Sequence, residues 1–494
     1  MNFKILIILL LNLIFLKSIV YSQQQISYYV QTNGSDSSYC GRSTQQSCAS
    51  VFGAVESFRY QFGSYSSSFY QIIIYFGVDY QWIGGSSESS VNLYNMNVSF
   101  VGNPDGSTYF LNSYAYLPLF NVTSSTQNTY ITFNNITYGS PTSNCWHNFQ
   151  VYNNNTPVTL LLLQPSNYGD VGTYVQFNNF SLNCQVIDIP VIAVIDNDYI
   201  SNPSEDYNGF QYFYMTTDQP NIFITFNNFT FNQSISSTLN SEFLYAPSIP
   251  TSVTFVNSLI KASNILSNSQ NFITVGRGCL LIDNSTFNIG SSGSSLAYFL
   301  NVSSTQVDIT NTNITIQRSI VSFLTCQGCF FKADNINFTS IVFLTSQYPF
   351  YFIYASASFY NSIMISDGIN IIKTIDCQLS LRMNTISSSM SNPINIDNTN
   401  IFIYGNSFPS FSPGGSMSSG SSLTPIYCTS SSDSNVISDE STYPYTENCS
   451  KYAQTFKLKW YFGFLAVGIV GTLCIFVFLA STIAIIKRCG GGDH

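Results

Sequence analysis

Acid–base catalysis needs an imidazole, a carboxylate pair or an amine poised near the working pH. This chain offers few such groups: its 494 residues include 15 Lys or Arg, 24 Asp or Glu and two His. His147, in Cys145-Trp146-His147, is the one imidazole apart from the last residue, His494. We read it as a loop residue beside a disulfide rather than a catalyst. Asp283, Asp334 and Asp397 each precede an asparagine of a recurring pattern, at intervals of 51 and 63 residues. Those intervals place them on different turns of chain, which does not make a tight acid/base dyad. Lys261, Arg277, Arg318, Lys332, Lys373 and Arg382 follow one another through the later part of the chain. With Asp283, Asp308 and Asp334 as partners, they mark where an active site would have to lie. The sharpest acidic cluster is Asp188, Asp196, Asp198, Glu205 and Asp206. Asp196, Asp198, Glu205 and Asp206 are a calcium candidate, because clustered carboxylates supply hard oxygen ligands. The spacing is not that of an EF-hand, and we read the segment as a solvated acidic loop in preference to a calcium site. We assign no catalytic residue and expect no cofactor.

The charge that exists is lopsided. Between Gln23 and Phe456 there are nine Lys or Arg against 23 Asp or Glu, and none of the nine lies between Tyr60 and Ile260. A phosphate backbone requires cationic neutralisation, so nucleic acid is excluded as a partner. An anionic polymer would need bridging calcium or cations that this stretch lacks.

Both ends carry address signals. Met1–Lys4 is short and basic, Ile5–Leu16 is apolar apart from Asn12, and Val20-Tyr21-Ser22 fits a cleavage site, so residues 1–22 read as a secretory signal. Trp460–Ile486 runs 27 residues without a charge, enough to cross a bilayer. Trp460, Tyr461 and Phe462 suit the outer interface and Lys487-Arg488 the inner one. The expected topology is type I in the plasma membrane, with residues 23–456 outside and a tail of 487–494. Cys489, one residue past Lys487-Arg488, is a lipidation candidate. Thirteen Asn-x-Ser/Thr sequons lie on the expected outer side: Asn33, Asn97, Asn121, Asn135, Asn154, Asn179, Asn228, Asn232, Asn284, Asn301, Asn313, Asn337 and Asn448.

The elements that must position any site are visible as a repeat. Apolar-x-apolar-x-Asn recurs in copies ending at Asn95, Asn135, Asn179, Asn228, Asn257, Asn284, Asn311, Asn335 and Asn361, with weaker copies at Asn384 and Asn398. From Asn228 the copies are 29, 27, 27, 24, 26 and 23 residues apart; before it they are 40, 44 and 49 apart. A second short apolar strand precedes most copies, as in Asn271–Val275, Leu296–Leu300 and Val321–Leu324. No stretch before residue 457 reads as a long amphipathic helix. A repeat of about 25 residues built from short alternating strands favours a solenoid over a sandwich. The recurring Asn suits a left-handed bend between strands. Stacked coils would let successive amides hydrogen-bond in a ladder, expected here to point partly inward. Four of these positions, Asn135, Asn179, Asn228 and Asn284, are also sequons, so an inward ladder predicts poor glycan occupancy there. Roughly a dozen coils would give a rod of about 55–60 Å.

In these features the chain resembles the right-handed parallel β-helix (pectin-lyase-like) superfamily, over roughly Ile26 to Ser410. Tyr28-Tyr-Val-Gln-Thr-Asn-Gly-Ser-Asp36 followed by Cys40-Gly41 and Cys48 looks like the opening of such domains, and Ile72-Ile-Ile-Tyr-Phe-Gly77 like their first buried strand and turn. The resemblance implies an all-β, right-handed parallel β-helix, to which the uncharged run 460–486 adds one C-terminal transmembrane helix. The expected organisation is an N-terminal cap and first strands over 23–90, repeats over 91–407, a Ser/Gly/Pro linker and disulfide stalk over 408–456, and a membrane span over 460–486. Cysteine spacing suggests disulfides: Cys40 with Cys48 in the cap, Cys145 and Cys184 between neighbouring turns or loops, Cys326 with Cys329 at a turn, and Cys428 with Cys449 in the stalk. Cys279 and Cys377 have no assigned partner. Enzymes of this superfamily cleave acidic polysaccharides, with calcium-binding carboxylates and a basic residue, or with several Asp near a His. No such motif stands in this chain. The expectation is a glycosylated cell-surface rod for adhesion or ligand recognition, its ligand a carbohydrate or a cell-surface protein. The alternative is a membrane-tethered polysaccharide lyase or glycoside hydrolase.

Overall fold

A computed structural model describes residues 24–452 apart from 64–69, 85–89, 106–107, 113–117, 125, 140–159, 165–170, 184–185, 188–190, 195–220, 233–237, 240–242, 263–270, 291–296, 318–320, 342–347, 368–369, 389–392, 413–415, 419–425, 429–434 and 439–449. Three long sheets, of 15, 12 and 11 strands, dominate the described residues, and every pairing within them is parallel. The chain visits them in rotation. One full coil runs through Ala297–Ser303 in the twelve-stranded sheet, Thr305–Thr310 in the fifteen-stranded sheet and Asn313–Gln317 in the eleven-stranded sheet. The next coil repeats the circuit, so the fold is a parallel β-helix. Fifteen strands at about 4.8 Å each make the long sheet about 67 Å from first to last, longer than the dozen coils expected.

Alternation in the strands explains why the coils close. Thr173–Asn178 and Ile222–Asn227 each turn every second side chain inward. Because successive coils pair in register, like residues stack on like. Phe133, Phe177, Phe226 and Phe255 form a continuous buried column, with centroids 4.9, 4.9 and 4.6 Å apart and rings within 9° of parallel. A second column joins Phe243, Phe272 and Phe299 at 5.2 and 4.6 Å. Each stacked pair contributes about 0.5–1.5 kcal/mol beyond its burial.

The corners between the long and eleven-stranded sheets are where the repeat's asparagines sit. Asn135, Asn179, Asn228, Asn257, Asn284, Asn311, Asn335 and Asn361 all have φ between 45° and 56°, in the left-handed region. Their amides do form a ladder: Asn179 donates to Asn135 at 3.0 Å, Asn228 to Asn179 at 3.1 Å, Asn284 to Asn257 at 2.5 Å and Asn335 to Asn311 at 2.8 Å. The expected inward direction is wrong. Asn179, Asn228 and Asn284 are exposed, because a left-handed corner residue turns its side chain to the outside of the bend. The inward ladder belongs to the next residue. Ser285 accepts from the Ser258 backbone N–H at 3.1 Å, Ser362 from that of Ile336 at 3.2 Å and Asn384 from that of Ser362 at 2.9 Å.

Two copies of the pattern are displaced. Asn95 and Asn398 lie on a different corner, between the twelve-stranded and long sheets. At the coil assigned to Asn384 the left-handed residue is Met383 (φ 57°). The wide early spacings reflect long coils rather than missed ones, since Thr129–Asn134 pairs directly with Thr173–Asn178, and that strand with Ile222–Asn227.

The ends also differ from expectation. The solenoid does not stop at 407. Ile426–Cys428 pairs with Ile394–Asp397, Asn435–Ser438 with Asn400–Tyr404, and Ser450–Tyr452 adds the last strand, so three short strands within the predicted linker and stalk extend the solenoid's sheets. At the start, a helix over Val51–Phe62 closes the core. Its Val51, Ala54, Val55 and Phe58 are buried on one face, and Ser50 accepts from the Gly53 N–H as N-cap. Asp36 braces that cap, accepting from the backbone of Ala49 (2.8 Å) and Ser50 (3.0 Å) and from the Ser50 hydroxyl (2.6 Å). An uncovered first strand would present an unpaired edge. Among the described residues no helix is long and apolar enough to cross a membrane. Residues 1–22, 460–486 and 487–494 lie outside the described residues.

Candidate functional site

The outer face of the long sheet is the broadest continuous surface that the register defines. On its first seven strands the outward positions form three rows. One holds Gln25, Gln71, Asn97, Tyr130, Tyr174, Phe223 and Ser252; the next Ser27, Ile73, Ser99, Thr132, Gln176, Thr225 and Thr254. The third holds Tyr29, Tyr75, Val101, Asn134, Asn178, Asn227 and Val256. None of these residues is charged.

In the middle of that face, Tyr130, Tyr174 and Phe223 stack with centroids 4.7 Å apart at each step and planes within 10° of parallel. Tyr130 is 47% exposed. Four residues further along each strand, beyond the Thr132–Gln176–Thr225 row, Asn227 donates to Asn178 (2.9 Å), Asn178 to Asn134 (2.7 Å) and Asn134 to the Ser99 hydroxyl (3.2 Å). The Asn135–Asn179–Asn228 ladder runs alongside at the corner. The surface is therefore an aromatic strip with a Thr/Gln row and then two rows of oriented amides to one side of it. Such a combination suits a ligand with apolar C–H faces and hydroxyl groups, since rings take up apolar area and amides both donate and accept.

The pattern was in the sequence in fuller form than the repeat alone. Three consecutive copies read Tyr130-Ile-Thr-Phe-Asn-Asn135, Tyr174-Val-Gln-Phe-Asn-Asn179 and Phe223-Ile-Thr-Phe-Asn-Asn228, with an aromatic residue just before the apolar-x-apolar core. Stopping the motif one residue short hid the aromatic strip.

Charge begins on this face at the eighth strand, Gly278–Asp283, with Asp283. Asp308, Lys332, Asp334 and Arg382 follow on the next strands, with Lys332 paired in register to Asp308, and Asp334 two strands beyond Asp283 in the same row. The fold thus brings together most of the residues singled out as a possible active site, although Asp283 and Asp334 are far apart in sequence. Asp283 accepts from Thr310 (2.6 Å) and Asn311 (3.1 Å), and these bonds hold its carboxyl below the usual range. That is opposite to the raised pKa a general acid needs. Asp334 likewise accepts from the corner residue Asn361 at 3.0 Å. Both carboxylates serve as acceptors within the asparagine ladder. The Lys332 ammonium and Arg382 guanidinium lie 6.0 and 5.7 Å from the Tyr360 ring centroid.

The remaining candidates scatter. Lys373 and Asp397 lie on the twelve-stranded sheet, where the Lys373 ammonium donates to Asn395 (2.9 Å) and Asn395 to the Tyr348 hydroxyl (3.1 Å). Burial lowers the pKa of Lys373, and Asp397 partly opposes this. Lys261 is on the eleven-stranded sheet, and Arg277 is exposed at a corner. His147, Arg318, Asp188, Asp196, Asp198, Glu205, Asp206 and Cys489 lie outside the described residues. Cys40 is bonded to Cys48, with Cα atoms 4.9 Å apart, and Cys326 to Cys329, with Cα atoms 5.9 Å apart. Asp36 comes within 4.8 Å of the Cys40 and Cys48 sulfurs, but the disulfide leaves no thiolate for a metal. Cys428 is disulfide-bonded, while Cys145, Cys184 and Cys449 lie outside the described residues. Cys279 and Cys377 are free thiols, both with pKa raised by burial. Of the sequons, Asn33, Asn179, Asn228, Asn232, Asn284, Asn313 and Asn337 are exposed, and Asn121, Asn135 and Asn301 half-buried. Asn97 is only 5% exposed, and Asn154 and Asn448 lie outside the described residues.

No protein-family model matches the sequence, and no curated protein matches it. Among solved structures, the GH136 lacto-N-biosidase from Eubacterium ramulus, in its native form, resembles this chain at a TM-score of 0.35 and 8% identity. That likeness covers 83% of this chain and 67% of the other. At that level it carries no argument about activity or substrate.

Proposed function

We propose that the protein is a cell-surface recognition rod whose uncharged long-sheet face binds a neutral carbohydrate. The observation that carries this reading is the Tyr130–Tyr174–Phe223 strip and, one row removed from it, the Asn134–Asn178–Asn227 amide row, on seven strands whose described outward residues carry no charge. Stacking alone would stabilise the coils, but it does not require that the strip share the outer face with a row of aligned amides. The absence of cations on this face argues against an acidic ligand. Anchoring through residues 460–486, entry into the secretory pathway through residues 1–22, and glycans on the exposed sequons belong to the same proposal.

The test uses the full chain displayed on cells and a panel of neutral and acidic oligosaccharides. We expect binding to neutral ones, weakened at least tenfold by Tyr174→Ala and unchanged by Lys332→Ala. No binder in the panel, or a binder indifferent to Tyr174→Ala, overturns the reading. A membrane-tethered polysaccharide hydrolase or lyase is the second reading, favoured by the gathering of Asp283, Asp308, Lys332 and Asp334 on the same face. Release of reducing or unsaturated ends, lost in Lys332→Ala, would establish it instead.

A further inference from the structure

We infer that the recognition face has a closed end. A cavity beside the first two strands takes the terminal monosaccharide of a neutral glycan lying along the solenoid axis. This rests on the reading above and adds to it which part of the glycan is recognised.

The cavity, of about 290 Å³, is lined by Tyr29, Gln31, Thr44, Tyr75, Phe76 and Gly77. Its position follows from register. Tyr29 and Tyr75 are the first two members of the row that continues through Val101 to Asn134, Asn178 and Asn227. A chain-like ligand following the amide row towards the N-terminal end of the rod arrives over this stacked tyrosine pair. There it meets the cap. Thr44 opens the short 3₁₀ turn Thr44–Gln46, and the Gln31 N–H donates to Cys48 O at 2.9 Å, tying the end of the first strand to the disulfide loop. The face is thus bounded by the cap at one end and continues along the later strands at the other.

Size and chemistry select the occupant. The volume is at the lower end of the roughly 300–1,000 Å³ of small-molecule sites, which suits one ring-sized unit rather than a branched or longer segment. Tyr29 and Tyr75 stack at 5.7 Å with planes 22° apart and Tyr75 is exposed, so they offer apolar ring surface. Gln31 and Thr44 bring an amide and a hydroxyl. Ser47 donates to the Gln31 side-chain Oε1 at 3.3 Å, which leaves the amide NH₂ as the donor that Gln31 can offer a ligand hydroxyl. No lining side chain is charged, so a carboxylated or phosphorylated terminus finds no counter-ion. Gly77 keeps the space open: a Cβ there would come within 3.0 Å of Gln31 Cγ.

The experiment uses the full chain on cells and neutral oligosaccharides immobilised through one end or the other. We expect binding to require one particular free end, with at least a tenfold loss when the glycan is attached through it. Gly77→Val, which narrows the cavity and displaces Gln31, should remove that end preference and weaken binding about tenfold. Gln31→Ala, which leaves the backbone untouched, should weaken it in the same sense. Tyr174→Ala should weaken both presentations. Equal binding through either end, or a Gly77→Val and Gln31→Ala pair without effect while Tyr174→Ala abolishes binding, overturns the end cavity and leaves the face standing. No binding to any presentation overturns both.

Discussion

Asn335 tests why the repeat carries asparagine at its corners. Its φ is 56°, its amide donates to Asn311 at 2.8 Å, and the next corner residue, Asn361, bonds Asp334 instead. It therefore has one ladder bond to lose, and it is not a sequon, so glycans do not confound the result. Asn335→Ala removes that bond and puts a plain Cβ residue in the left-handed region. An exposed hydrogen bond contributes about 0.5–1.5 kcal/mol, and the left-handed conformation costs an ordinary residue about 1–2 kcal/mol. The alanine variant should lose about 2 kcal/mol on these terms. Asn335→Gly loses the same bond but adopts the corner without strain, so it should retain about 1 kcal/mol relative to alanine. The assay is equilibrium urea unfolding of both variants, with the slope compared first because a long solenoid need not unfold in one step. If glycine proves as destabilising as alanine, or more so, backbone conformation is not what selects asparagine, and the ladder bond alone must explain it.

Two further outcomes follow from the same geometry. Asn97 is 5% exposed and its side-chain oxygen accepts from the Tyr130 N–H at 3.1 Å, so chains glycosylated there cannot close the coil. Glycopeptide mapping of the surface-expressed protein should find Asn97 unmodified and the exposed Asn313 and Asn337 occupied; substantial occupancy at Asn97 refutes the placement. The depressed pKa of Asp283 means that its bonds to Thr310 and Asn311 stabilise the fold above the unfolded value of about 3.9 and are lost as pH falls through the lower folded value. Urea midpoints measured between about pH 5 and pH 2.5 should fall less for Asp283→Asn than for the parent, and identical slopes would count against it.

The sequence by itself determined the repeat, and with it the fold. Alternating Ile, Val and Phe at a period of two, punctuated by an asparagine about every 25 residues, admits few solutions other than stacked parallel coils, because each strand must bury one face against its neighbours. The left-handed corner was equally legible, since asparagine tolerates that conformation at little cost. What the sequence did not decide was direction and adjacency. Whether a corner amide points in or out depends on the bend itself, and an outward Asn284 beside an inward Ser285 reads identically in one dimension. The cap helix was hidden by its brevity, although Ser50 and the Val51, Ala54, Val55, Phe58 spacing carried its signal. The last coils were hidden by strands of three or four residues with little periodicity to detect. The binding face could be assembled only by register. Tyr130, Tyr174 and Phe223 are 44 and 49 residues apart in the chain, yet 4.7 Å apart in space. Coils of unequal length conceal such a strip from any fixed spacing, and the parallel pairing of their strands aligns it.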